Sequence, residues 1–202
     1  HETKIMSLIK KIVLGLAIFL LLVAAVGLLF FSGHIEIRRS VTINRPVADV
    51  FDYLNNLKNY NQWSPWYQLD TTAAYTFSGP SSGTGATMSW ESKNEQVGNG
   101  SLTYTDVVLQ QSIKHDLNFM ENGVAKGEYL LSPDGNGTQV TWVFSFEAGA
   151  NPLLRIMGSL MKDVVGEDFE KGLARMQSIL DTAPALNSGD SSIAPIDTMT
   201  LH

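Results

Sequence analysis

Between positions 34 and 147 apolar residues return at every second place in short segments, and from 151 to 181 they return at every third or fourth. A period of two belongs to a strand with one buried face, and a period near 3.6 to a helix with an apolar stripe. The chain is therefore a set of strands followed by one long helix. A sheet with one greasy face needs a cover, and this helix is the one element large enough to supply it.

The first segment, HIEIRRSVTIN over 34–44, alternates Ile35, Ile37, Arg39, Val41 and Ile43 with Glu36, Arg38, Ser40 and Thr42. Arg45-Pro46 then opens a short helix, since proline suits the first helical position, with Val47, Val50, Phe51 and Leu54 on its inner face. Leu57 and Tyr60 continue into a second helical turn. The stretch NQWSPWYQLD at 61–70 follows, with Trp63, Trp66 and Tyr67 around Pro65, and reads as irregular backbone. Six further strands are expected at 74–78, 84–91, 100–108, 112–120, 124–131 and 138–147. Gly79-Pro80-Ser81-Ser82-Gly83, Glu121-Asn122-Gly123 and Asp134-Gly135-Asn136-Gly137 supply turns between them, as in an antiparallel meander.

Asn151-Pro152 caps the final helix, whose stripe runs through Leu153, Met157, Leu160, Met161, Val164, Val165, Phe169, Leu173, Met176 and Leu180. Unbroken, it would reach roughly 40–45 Å, so Gly158 marks an expected break. Residues 182–202 have no period and many Ser, Ala, Pro and Asp, and read as a disordered polar tail or linker. The expected fold class is α+β: a curved antiparallel sheet of about seven strands wrapped on a long C-terminal helix, with two short helices after the first strand.

Residues 12–31 carry no charge, and ~20 such residues span a bilayer as a helix. Phe31 stands where a signal-peptide cleavage site needs a small residue, so 12–32 reads as an uncleaved anchor. Lys4, Lys10 and Lys11 precede it, which puts residues 1–11 in the cytoplasm and the domain at 34–181 outside it, although Arg38 and Arg39 dilute the asymmetry. The expected location is the inner (plasma) membrane, single-pass, with a periplasmic or extracytoplasmic domain.

A formal net charge of -6 argues against a nucleic-acid partner, which requires clustered Lys and Arg. There is no cysteine, hence no disulfide or thiolate chemistry. The four histidines are scattered without metal-ligand spacing, and no cofactor is expected. Gly-rich GPSSGTG at 79–85 lacks the lysine and the strand-to-helix context of a phosphate loop and reads as a turn. Nothing forms a Ser-His-Asp or paired-carboxylate constellation.

Four stretches resemble the helix-grip superfamily of START-like and polyketide-cyclase-like proteins, in its membrane-anchored bacterial branch. They are VTINRPVADVFDYLNNLKNYNQWSPW, GTGATMSW, GTQVTWVFSF and NPLLRIMGSLMKDVVGEDFEKGL. The resemblance covers roughly residues 35–180, and its markers belong to the fold rather than to a catalytic site. It implies a cavity between the sheet and the long helix that holds a lipid or another hydrophobic molecule, with chemistry in some members.

Pocket walls are apolar and aromatic with a few polar groups. The cavity candidates are Trp63, Trp66, Tyr67, Met88, Trp90, Tyr104, His115, Phe119, Tyr129, Trp142, Phe144, Met157, Met161 and Phe169. Each also has a plain packing role, with Trp63 as a core plug and Trp66 with Tyr67 as rim. Trp142, Phe144 and Phe146 share one face of their strand. Acid–base candidates are His115, Asp116, Tyr104, Glu128, Tyr129, Asp70 and Arg155. Glu167 and Lys171 form an expected i,i+4 surface pair.

The preferred reading is a membrane-anchored domain that binds a hydrophobic small molecule or lipid without chemistry. Two alternatives stand beside it: a cyclase- or dehydratase-like enzyme, and an accessory subunit docked onto a larger membrane protein complex.

Overall fold

A computed structural model describes residues 2–120 and 123–183. The elements are α1 (Glu2–Phe30), β1 (His34–Ile43), α2 (Val47–Asn55), a 3-10 turn (Leu57–Asn59), α3 (Tyr60–Trp63) and α4 (Pro65–Leu69). Then come β2 (Ala74–Ser78), β3 (Thr87–Glu91), β4 (Asn99–Val108), β5 (Ser112–Asn118), β6 (Val124–Asp134), β7 (Gly137–Glu147) and α5 (Pro152–Thr182). The seven strands form one antiparallel sheet in the order β1-β7-β6-β5-β4-β3-β2. It is a meander from β2 to β7 whose last strand takes β1 at its far edge. A register shift between Tyr104 and Asp106 kinks β4 and helps to curve the sheet. α5 packs on β1 and grips the sheet, giving the expected α+β helix-grip architecture.

Local chemistry explains the departures from expectation. Pro46 is the N-cap of α2 rather than its first residue. NQWSPWYQLD is helical, not irregular: α3 ends at Trp63, Ser64 caps α4 by accepting from the Tyr67 N–H, and Pro65 starts α4. The strand expected at 84–91 begins at Thr87, because Gly85 and Ala86 both bond to Tyr104 of β4, two residues opposite one, as in a bulge with its glycine at positive φ. The β6–β7 turn is tighter than read, with Asp134 paired to Gly137. Of the turn expected at 121–123, Glu121 and Asn122 lie outside the described residues, as does the tail beyond Ala183.

Gly158 does not break α5, which runs through 31 residues. A Cβ there would lie 2.6 Å from the ring tip of Phe146 and 3.0 Å from Ile35, so the glycine lets helix and sheet approach. Lys171 pairs with Asp168 at 2.9 Å, not with Glu167.

The stripe read along α5 is in fact two. Phe169, Leu173, Met176 and Leu180 are buried against the sheet, whereas Leu153, Leu154, Met157, Leu160, Met161 and Val164 are exposed. Phe169 lies five positions after Val164, a rotation of roughly 140° at 100° per residue. The two runs therefore occupy different faces.

By length and composition α1 qualifies as a membrane span or a signal sequence. Its last turns pack on the start of α5. Gly27 is buried against Pro152. Arg155 donates to the Leu28 and Phe31 carbonyls at 3.2 and 3.3 Å, and to that of Gly149 at 2.7 Å.

Candidate functional site: an aromatic cavity under the long helix

A cavity of about 210 Å³ lies between α5 and the sheet. Its inner wall is Trp142 and Phe144 of β7, with Met88 and Trp90 of β3 and Leu117 and Phe119 at the end of β5. α5 contributes Val165 and Phe169, α3 and α4 contribute Tyr60 and Trp66, and Tyr75 of β2 closes one side. Gln96 and Val97, in the β3–β4 loop, stand at the exposed end. The Val97 carbonyl accepts from the Trp90 indole at 3.3 Å, which ties that loop to the wall.

Seven of the residues singled out from sequence line this space: Trp66, Met88, Trp90, Phe119, Trp142, Phe144 and Phe169. Period-2 alternation places the strand members inward, and Phe169 stacks on Trp142 at 3.9 Å with the rings 7° from parallel. The other seven do not line it. Trp63 is 2% exposed and wedged edge-on against Trp142 at 5.1 Å, inside the core. Tyr67 packs on Tyr75 from outside the cavity, at 5.6 Å. Met157 and Met161 point away from the sheet, because they belong to the outer stripe of α5.

Tyr104, His115 and Tyr129 are buried deeper in the sheet, in a row behind Trp142. Tyr129 lies 5.7 Å from Trp142 and 4.7 Å from His115, and Tyr104 lies 6.2 Å from His115. The His115 ring covers Gly127, its cross-strand partner on β6, where a Cβ would come within 2.0 Å of Nε2. Tyr104 donates to the Leu54 carbonyl at 2.6 Å. Among the described residues, both His115 ring nitrogens, the Tyr129 hydroxyl and the Trp142 indole nitrogen have no hydrogen-bond partner. Burial lowers His115 to about 4, opposed by the Ile113 backbone and the Asp116 charge, neither of which reaches hydrogen-bond geometry with the ring. Burial also raises Tyr104 and Tyr129, so all three are neutral at pH 7.

The remaining acid–base candidates are dispersed. Asp116 pairs with Lys126 at 2.8 Å on the outer face, and Glu128 is half-buried on that same face, opposite Val143. Asp70 accepts from Ser92 and Thr72, which hold its carboxyl below the usual range. Arg155 clamps α1. Among the described residues that line the cavity, Tyr60 and Tyr75 are the ionisable ones, and burial pushes both upward. At neutral pH the described wall can enclose an apolar body and offer a few N–H and O–H groups to it. Among the described residues no group of three or more His, Asp or Glu side chains could hold a metal.

Six lining residues, Tyr60, Tyr75, Gln96, Val97, Leu117 and Val165, are not among the candidates from sequence. Alternation with Phe119 marked Leu117, and its place just after the outer stripe marked Val165. Gln96 and Val97 carried no such signal, because their loop reaches the cavity only through the fold.

The model of the family described as polyketide cyclase / dehydrase and lipid transport matches residues 34–181. The chain belongs to that family. No curated protein matches it. Among solved structures, a Staphylococcus aureus protein of unknown function is similar at 14% identity, with a TM-score of 0.56 over 74% of this chain and 94% of that one. A protein from Chromobacterium violaceum is similar at 12% identity, with a TM-score of 0.53 over 73% and 98%. The Aha1 dimer from Colwellia psychrerythraea gives 14% and 0.52, over 73% and 97%. At these identities the likeness concerns the fold alone. Family membership and cavity together make a hydrophobic-ligand fold the coarse functional statement.

Proposed function

We propose that this polyketide cyclase/dehydrase and lipid-transport family member binds a hydrophobic small molecule or lipid in the cavity under α5, held at the membrane by α1, without transforming it. The observation that carries this reading is the chemistry of the wall, which is apolar and aromatic and has no carboxylate, imidazole or cation among its described residues. Burial of ligand surface at ~25 cal/mol per Å² supplies the affinity. The unpartnered Trp142 indole N–H, on a wall residue, favours a ligand carrying an acceptor oxygen. The volume of about 210 Å³ lies below the roughly 300–1,000 Å³ of drug-sized pockets, so a slim ligand, or one that displaces soft Met88, fits best.

An uncharged run at 12–31 supports α1 as an uncleaved span, with the N-terminus cytoplasmic and the domain at 34–181 outside. Arg39, one of the two cations that follow the span, pairs with Glu170, which weakens its claim as a topology signal.

Native mass spectrometry of the detergent-purified chain, with lipid extraction, tests the binding reading. A reproducible co-purifying hydrophobe is expected, and Val165→Phe, which fills the cavity from α5, should abolish its retention while circular dichroism stays unchanged. Retention that survives Val165→Phe would place the hydrophobe elsewhere and sink the proposal.

A further inference from the structure

Leu153, Leu154, Met157, Leu160, Met161 and Val164 are each between 46% and 69% exposed. At 100° per residue they occupy one arc roughly 120° wide, the width of a helix face that is normally covered. The same helix buries Gly158 and Gly166 on its other side, so these six are not residues displaced from the core. Beyond Val164 the arc changes character and carries Glu167, Asp168 and Lys171.

The position of the face relative to α1 indicates what covers it. Gly27, buried against Pro152, lies four residues inside the uncharged run that ends at Phe31, or roughly 6 Å along the helix. Arg155 fixes the junction through the Leu28 and Phe31 carbonyls. If α1 spans the bilayer, the first turn of α5 is held at the depth of the headgroup–acyl boundary. α1 does not cover the stripe, which stays exposed beside it, and Leu29 and Phe30 of α1 are themselves 77% and 78% exposed. Within 152–165 the charges are Arg155 and Lys162 against Asp163, so this stretch does not share the acidity of the chain and would not be repelled by an anionic surface.

We propose that the 153–164 face of α5 lies in the lipid surface as an interfacial helix, with the bilayer as its partner. Such helices bury their apolar face ~5–10 Å into the boundary region. The inference rests on the reading of α1 as a span and does not depend on the ligand. One consequence concerns the cavity: Val165, next to the last lipid-facing residue, is part of its wall. The helix that touches lipid is then also the helix that encloses the cavity, which gives a hydrophobe a short route between them.

The absence of cysteine allows single nitroxide labels to be placed cleanly on the full chain in phosphatidylcholine–phosphatidylglycerol vesicles. Leu160→Cys reports the proposed face, Glu167→Cys the same side two turns further on, and Leu20→Cys the middle of the uncharged run of α1. The expected result is a Leu160 label accessible to oxygen and severalfold less accessible than the Glu167 label to an aqueous nickel chelate, with the Leu20 label deeper still. A Leu160 label as open to nickel as the Glu167 label, with Leu20 deep, overturns the proposal and leaves the span standing. A Leu160 label shielded from both reagents also overturns it, because a second copy or another protein then covers the face. If the Leu20 label is itself aqueous, the span reading fails and the proposal with it.

Discussion

Folding takes the His115 imidazole from water, where it titrates near 6.5, into a core where burial lowers it to about 4. Between those values the unfolded chain binds the proton and the folded chain does not. Stability is therefore fully present above about pH 6.5 and falls as the pH drops towards 4, by up to about 1.4 kcal/mol per pH unit. Thermal unfolding in detergent at pH 7.5 and pH 5 should show this loss, and His115→Leu should show a smaller one, since carboxylate contributions are common to both proteins. Equal losses would acquit His115. The two tryptophans of NQWSPW separate by the same kind of reasoning. Trp63→Ala should destabilise by ~3–5 kcal/mol, as for any large buried ring. Half-buried Trp66 lines the cavity, so Trp66→Ala should cost less stability and reduce ligand retention, as read by denaturation and native mass spectrometry. The inward side of His115 and the aromatic character of the wall were legible from alternation alone. That His115 would stand behind the cavity rather than in it was not, because depth along a curved sheet depends on which strands neighbour which.

At the scale of elements, glycine marks the points of closest approach. Gly127 on β6 gives the His115 ring room to lie flat, so Gly127→Ala should destabilise by ~1–3 kcal/mol, the range for overpacking a core. Combining it with His115→Ala should recover part of that loss in a double-mutant cycle. Strict additivity would show that the two residues do not share the space. Gly158 on α5 follows the same logic, which is why a residue of poor helix propensity sits inside an unbroken helix. The apolar stripe of α5 holds a related lesson. Its periodicity announced a helix, yet the five-residue step from Val164 to Phe169 already carried the change of face. Met157 and Met161, candidates for the cavity on one continuous stripe, therefore fall on the outer face.

In the whole molecule, Arg155 joins the two apolar parts. Its guanidinium holds carbonyls at the end of α1 and the Gly149 carbonyl that precedes α5, so it sets the angle at which the domain stands on its N-terminal helix. Arg155→Ala should leave the thermal stability of the domain nearly unchanged. It should also broaden the distribution of spin–spin distances between a label on α1 and one on the sheet. An unchanged width would mean that the Gly27–Pro152 contact suffices on its own. The sequence marks Arg155 only as an acid–base candidate, because a cation near the start of a helix carries no sign of which backbone it will meet.

Periodicity and turn chemistry in the sequence determined the seven strands, their antiparallel order, the long closing helix and the apolar N-terminal helix. These follow from local rules: which residues alternate, which repeat at 3.6, and where Gly, Asn and Pro stop an element. Tertiary structure decided which face of α5 meets the sheet, which half of the candidate residues encloses the cavity, and that loop residues Gln96 and Val97 help to close it. Those outcomes depend on contacts between residues far apart in the chain, and no local period encodes the distance between two elements.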